Sequence, residues 1–182
     1  LTVGGKIRTM NDIEERLLNG ADKICLNTMA FTNPNFITEA ANEFGSQCIV
    51  VSLDAKKLND GHYIFGNSGK DNTKLTACDL SKIVEEKGAG EIFINSIDND
   101  GVGKGYDIDL IDDVSSSVNI PVIACGGVGE WDHFSDALDK TNVDAVAAAN
   151  IFHYIDQSVF IAKKYLHDAG YNFRRPDLIK IK

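Results

Sequence analysis

Positive charge is scarce in this chain: 18 Lys and Arg face 27 Asp and Glu, a formal net charge of -9. That balance argues against a nucleic-acid or acidic-membrane surface, since both call for a basic face. It leaves phosphorylated metabolites open, because backbone amides and helix N-termini hold anions without net positive charge. Cysteine is sparse as well. Cys25, Cys48, Cys78 and Cys125 show no C-x-x-C spacing, which excludes a disulfide scaffold and fits free thiols in a reducing cytoplasm. His62, His133, His153 and His167 share no metal-ligand spacing, so neither a metal nor another cofactor is expected. No apolar run approaches transmembrane length and none reads as a signal peptide.

What is present is ordinary in bulk. The 182 residues, 43% hydrophobic and 25% charged, suit one domain with a substantial core. The informative feature is an internal recurrence. VGGKIRTMNDIEERLLNGADKICLNTMAF begins at Val3, and CGGVGEWDHFSDALDKTNVDAVAAANIF begins at Cys125. Gly4-Gly5 maps onto Gly126-Gly127 and Asp22 onto Asp144, both at an offset of 122. Each copy runs from a Gly-Gly turn through an amphipathic helix into an acid-led apolar strand. The strands end in Asn27-Thr28 and Ala149-Asn150. A glycine loop lets backbone approach a ligand closely, and small polar residues before a helix leave amide protons free for an anion. Two such cups on related units imply a ligand with a phosphate at each end, or else two ordinary units of one architecture.

Short β-branched runs alternate with longer amphipathic stretches. Strands are expected at Leu1–Val3, Lys23–Leu26, Cys48–Leu53, Ile92–Asn95, Pro121–Ala124 and Ala145–Ala149. Helices are expected at Met10–Leu18, Pro34–Phe44, Thr76–Glu86, Ile108–Ser116, Glu130–Leu138 and Gln157–His167. His62–Phe65 with the loop from Gly66 to Gly69 reads as a small inserted hairpin. Strict strand–helix alternation predicts a parallel sheet, with strands apolar on both faces. A (β/α)8 barrel and an open doubly wound sheet compete, and the recurrence favours the barrel, because related halves return equivalent loops to one rim. An eight-unit barrel takes about 250 residues. The chain also starts at Leu1 within a strand-like run, where natural termini rarely fall. The expectation is one barrel domain over residues 1–182 without its first two units, whose bared edges promote self-association.

Asp54 ends the run IVVSLD, at a strand's C-terminal rim. A half-desolvated carboxylate there suits general acid–base work, or caps the following loop. Lys56, two residues on, points to the same side and offers to pair with Asp54. Asp98, Asp100 and Gly101, in SIDNDG, open a glycine-rich loop able to wrap a phosphate or close as a lid. Ser68-Gly69-Lys70 with Asn72-Thr73 is polar but no Walker loop. Lys6 and Arg8 flank the first glycine pair, and either supply charge there or sit solvated on the surface.

GGKIRT, ADKICLNT, EFGSQCIVVSLDAKK, NSGKDNT, GAGEIFINSIDNDG, KGYD, IPVIACGGVG and AAANIFHY occur in an order and spacing that resemble the HisF family, the cyclase subunits of imidazole glycerol phosphate synthase. The resemblance implies an eight-stranded β/α barrel, with strands three to eight in this chain. It implies an enzyme that takes ammonia from a partner glutaminase (HisH-like) and acts on a bisphosphorylated ribulosyl aminoimidazole-carboxamide nucleotide. The products are imidazole glycerol phosphate and an aminoimidazole-carboxamide ribotide, in histidine biosynthesis. Asp54 then matches the general acid/base. Gly5, Asn27 and Thr28 match one phosphate cup, and Asp100, Gly101, Gly127, Ala149 and Asn150 the other. Lys23 and Glu91 match a charged gate over the ammonia channel, and Asp22 an aspartate that faces the glutaminase. Three site positions depart from the usual pattern: Asn95, Cys125 and Asn150 stand where Thr, Ser and Ser are common. Asn95 and Asn150 look like HisF paralogues that accompany amidation of surface-polysaccharide sugars. A non-catalytic barrel fragment is the reading from another class. Lys6 takes the place of a third glycine.

Overall fold

The computed structural model describes residues 1–153 and 158–176. Among these residues eight strands form one sheet: β1 (Thr2–Gly4), β2 (Lys23–Leu26), β3 (Ile49–Leu58), β4 (Gly61–Gly66), β5 (Asp71–Thr76), β6 (Glu91–Ser96), β7 (Val122–Cys125) and β8 (Ala145–Val146). Seven α-helices accompany them among the described residues: α1 (Met10–Leu18), α2 (Thr28–Thr32), α3 (Asn35–Phe44), α4 (Ala77–Glu86), α5 (Ile108–Ser115), α6 (Asp132–Lys140) and α7 (Val159–Asp168). Gln157, expected to open the last helix, and Tyr154 of the ANIFHY motif lie outside the described residues.

The parallel strands lie in the order β1-β2-β3-β6-β7-β8. Each follows its predecessor without reversal, so the sheet is wound in one direction and curls. A doubly wound sheet would reverse its order at a switch point, and this one does not. The hairpin β4–β5 is antiparallel and hangs on the C-terminal extension of β3. It is larger than the sequence suggests: β3 continues past Asp54 to Leu58, and Asp71–Thr76, which reads as polar loop, is a strand.

Burial alternates along the strands. On one face Ile24, Leu26, Val51, Leu53, Ala55, Ile92, Ile94, Val122 and Ala124 are buried in a core shared with helix residues such as Ile13, Ile37, Leu80, Leu110 and Phe134. Each of the Val, Leu, Ile and Phe side chains contributes about 1.5–3 kcal/mol by leaving water. The other face carries Lys23, Cys25, Ser52, Asp54, Glu91, Phe93, Asn95, Ile123 and Cys125, all half-buried. The expectation of strands apolar on both faces is therefore corrected: one face is the helix-covered core, and the other, inner face mixes polar and apolar groups.

Local chemistry sets the helix boundaries. Thr9 and Asp12 close a capping box at α1, while Thr76, Asp107 and Ser158 cap α4, α5 and α7 through their side-chain oxygens. The internal recurrence holds in three dimensions. Helices α1 and α6 have nine residues each and start 122 positions apart, at Met10 and Asp132. At the same offset, β8 follows β2, and the short 3-10 helix Asn150–His153 follows α2. No described helix is long and apolar enough to cross a membrane.

Candidate functional site

Parallel strands put all their C-terminal ends on one rim, so residues far apart in sequence meet there. In the register of the sheet Asp54 lies beside Asn95, and Asn95 beside Cys125. Asn27, one residue beyond β2, joins them. Its Nδ2 donates to Asp54 Oδ2 at 3.0 Å and to the Ser52 carbonyl at 3.1 Å. Asn95 Nδ2 donates to Asp54 Oδ1 at 3.2 Å. Both carboxylate oxygens are thus held by carboxamides, which orient the group across the inner face. Asn95 Oδ1 is buried without a partner among the described residues.

The two inner-face thiols report the surroundings of this cluster. Burial first, then the negative charge of Asp54, raises the Cys25 thiol above its ordinary range. Burial, then Asp100, pushes Cys125 up to about 11, with Asp54 adding a smaller push. Both thiols are therefore protonated and weakly nucleophilic at neutral pH.

Two clefts flank Asp54. The first, of about 180 Å³, is lined by Gly5, Lys6, Arg8, Cys25, Asn27 and Thr28, among others. Gly5 has φ 101°, and its carbonyl accepts from the Arg16 guanidinium at 3.2 Å, which fixes the turn. The second cleft is narrow and is lined by Asp100, Gly101, Cys125, Gly127, Ala149 and Asn150, among others. The loop after β6 forms one wall. Asn99 Nδ2 donates to the Gly105 carbonyl at 3.0 Å, and Gly105 N donates to the Gly127 carbonyl at 2.8 Å. A Cβ on Gly127 would sit 2.0 Å from the Gly105 oxygen, so only glycine allows this approach. Tyr106 pins the loop from below through a hydrogen bond from its hydroxyl to the Ala147 carbonyl at 2.8 Å.

The structure thus brings Asp54, Asn27, Asn95 and Cys125 into one cluster. It gathers Gly5, Asn27 and Thr28 at one cleft, and Asp100, Gly101, Gly127, Ala149 and Asn150 at the other. Lys23 and Glu91 pair at the opposite, N-terminal end of the same inner face. Asn95 is four residue steps beyond Glu91 on β6, roughly 13 Å along a strand. Asp22 is exposed at that end, next to Lys23. Two expectations are corrected. Lys56 does not pair with Asp54; its ammonium lies 5.9 Å from the centre of the Phe65 ring, because β3 runs on into the hairpin. Asp98 is no wall of the second cleft: its Oδ2 accepts from Lys57 N at 2.8 Å and ties the loop to the hairpin. Arg16, Tyr106 and His62, whose Nε2 lies 3.2 Å from Asp107, escaped the sequence reading. Their partners are distant carbonyls and carboxylates that leave no local pattern.

Comparison with known proteins bears on this arrangement. The profile of a family described as "Histidine biosynthesis protein" matches residues 1–157. The chain is 46% identical over 176 residues to the imidazole glycerol phosphate synthase subunit HisF of Clostridium botulinum (strain Okra / Type B1), covering 96% of this chain and 70% of that protein. It is 48% identical over 174 residues to the HisF subunit of Hydrogenobaculum sp. (strain Y04AAS1), covering 95% and 69%. With the HisF subunit of Metallosphaera sedula the identity is 47% over 174 residues, covering 96% and 69%.

Proposed function

Since the chain belongs to the histidine-biosynthesis family as a HisF-type subunit of imidazole glycerol phosphate synthase, we propose that the Asp54 cluster and its two clefts carry out the cyclase step. The protein acts in histidine biosynthesis. It uses ammonia to cleave a bisphosphorylated ribulosyl aminoimidazole-carboxamide nucleotide and to close an imidazole ring. Imidazole glycerol phosphate and the aminoimidazole-carboxamide ribotide leave.

The observation that carries the site assignment is the position of Asp54. Its carboxylate stands on the inner face between two clefts, clamped by Asn27 and Asn95. A substrate with a phosphate in each cleft spans that carboxylate, which is then placed to take and return protons at the reacting centre. Gly5 and Thr28 offer backbone and hydroxyl donors to one phosphate. Gly101, Gly127 and Asn150 offer them to the other.

Ammonia comes from a glutaminase partner at the N-terminal end of the sheet, where Asp22 faces it and the Lys23–Glu91 pair gates the inner face. The six parallel strands are read as part of an eight-stranded β/α barrel. Their unreversed order supports this, as does the fact that the chain covers 69–70% of its relatives' length. We place the reaction in the cytoplasm. The test is ammonium-supported formation of imidazole glycerol phosphate from the bisphosphorylated nucleotide by the intact subunit. A folded subunit that binds this nucleotide but forms no product would refute the assignment.

A further inference from the structure

The two clefts are electrically unequal. The first is lined by two cations, Lys6 and Arg8, and the second by Asp100 with no cation among the described residues. Lys6 is also conformationally unusual. Its φ is 55°, a left-handed backbone that side-chain-bearing residues seldom adopt, and such strain gathers at functional positions.

The surroundings enforce that conformation. The Arg16 guanidinium donates to the Gly5 carbonyl at 3.2 Å and to the Asp12 carbonyl at 2.6 Å. Immediately after the turn, Arg8 N and Thr9 N both donate to Asp12 Oδ2 at 2.9 Å. Asp12, the acid nearest in sequence, is therefore occupied by backbone amides and by Arg16. Among the described residues neither the Lys6 ammonium nor the Arg8 guanidinium pairs with a carboxylate. A strained turn holds two uncompensated cations at the mouth of a cavity of about 180 Å³.

We propose that Lys6, assisted by Arg8, is a specificity-determining residue that grips a terminal phosphate dianion and makes the first cleft the anchoring end of the site. A glycine at this position would leave the phosphate to backbone amides alone. Lysine adds a point charge with three donors, so binding gains affinity and salt dependence. The second cleft, with Asp100 on its wall, takes its anion through backbone and amide groups and holds it less tightly. This assignment rests on the reading of a bisphosphorylated substrate, and binding, read apart from turnover, is its first test.

The full chain is titrated with inorganic phosphate at low and high salt, following heat of binding and the backbone amide shifts. The parent should bind phosphate at Gly5–Arg8 before Gly101 or Gly127 respond. Lys6→Met should weaken that binding about tenfold at low salt and flatten its salt dependence. Lys6→Arg should restore it to within about threefold, since the charge is kept. Lys6→Gly should weaken binding equally while raising the thermal midpoint, because the left-handed backbone is no longer strained. A purely structural lysine would change the midpoint and leave the salt slope alone. The proposal is overturned if the parent binds no phosphate, if Lys6→Met binds as the parent does, or if shifts appear first at Gly101 and Gly127. Should the subunit bind phosphate through Lys6 yet fail to form imidazole glycerol phosphate, the cyclase reading falls and this site remains. Turnover in Lys6→Met with an unchanged KM removes the site and leaves the cyclase reading.

Discussion

Replacing Asp54 by asparagine separates proton transfer from binding. The side chain keeps its shape, but the new carboxamide has a single acceptor oxygen, and two donors face it: Asn27 Nδ2 at 3.0 Å and Asn95 Nδ2 at 3.2 Å. One of them must meet an N–H instead. Hydrogen bonds to a charged acceptor contribute about 1.5–3 kcal/mol each. The inner face is half open, so water re-satisfies the stranded amide, and the net loss of stability should be about 1–2 kcal/mol. For a chain of this size that lowers the melting midpoint by roughly 2–8 °C. Catalysis should suffer more. A positioned acid–base group is worth about 10²–10⁴ in rate, whereas the two flanking clefts are untouched. Asp54→Asn in the intact subunit should therefore lose kcat at least about a hundredfold in the ammonium-dependent assay, with KM within about tenfold, or 1.4 kcal/mol. Steady-state kinetics and a thermal melt on the same preparation decide it. Turnover close to the parent's would remove Asp54 from the chemistry, and a rise in KM matching the whole loss would recast it as a binding residue.

The two cleft glycines should respond unequally to alanine. Gly127→Ala forces a Cβ to within 2.0 Å of the Gly105 carbonyl and should cost about 2–3 kcal/mol in urea unfolding. Gly5→Ala, with φ 101° but open space around it, should cost only about 1 kcal/mol. Alkaline stability should carry the signature of Cys125. Its thiol is raised from an ordinary 9.0 to about 11, so between those values the unfolded chain loses a proton that the folded one keeps, and stability falls as pH rises. Parent protein should lose about 2 kcal/mol more than Cys125→Ser between pH 8.5 and 11; parallel curves for the two would contradict the assignment. Lys23→Met should leave ammonium-driven turnover near normal and lower the glutamine-driven rate when the glutaminase is present, and equal effects on both rates would count against a gate.

Much of the frame is legible in the sequence because it depends on local pattern. Met10–Leu18 and Lys23–Leu26 coincide with α1 and β2, where a capping box and a short apolar run bounded by Gly20 and Asn27 give clear limits. Helix α2 was hidden. The residue at its N-cap position, Asn27, makes no side-chain cap, because donation from its Nδ2 to Asp54 and Ser52 holds the carboxamide toward β3 and away from the helix amides. Strand β5, DNTKLT, is polar and half exposed, so no alternation marks it. Its partner β4 and the left-handed turn at Asn67, Ser68 and Gly69 impose its conformation. Of the residues named from sequence, Asp54, Asn27, Asn95, Cys125 and the two glycine clefts lie at the C-terminal rim, whereas Lys23, Glu91 and Asp22 lie at the other end. The groups that hold them, Arg16 and Tyr106, could not be read, because a side chain donating to a carbonyl many residues away leaves no periodic trace.

The alternation of burial along each strand has a consequence for how this protein can change. On β3, Val51, Leu53 and Ala55 answer to the helices, while Ser52 and Asp54 answer to whatever occupies the inner face. Neighbouring residues on one strand therefore evolve under separate pressures. Replacements such as Asn95 and Cys125 can accumulate on the inner face with little effect on the helix-covered core, and one scaffold can try new substrates at small structural risk. The same arrangement makes a one-residue insertion in β3 doubly damaging. It would turn Leu53 toward the ligand and drive the Asp54 carboxylate into the apolar layer, so the change that tunes the enzyme is substitution and never a shift of register.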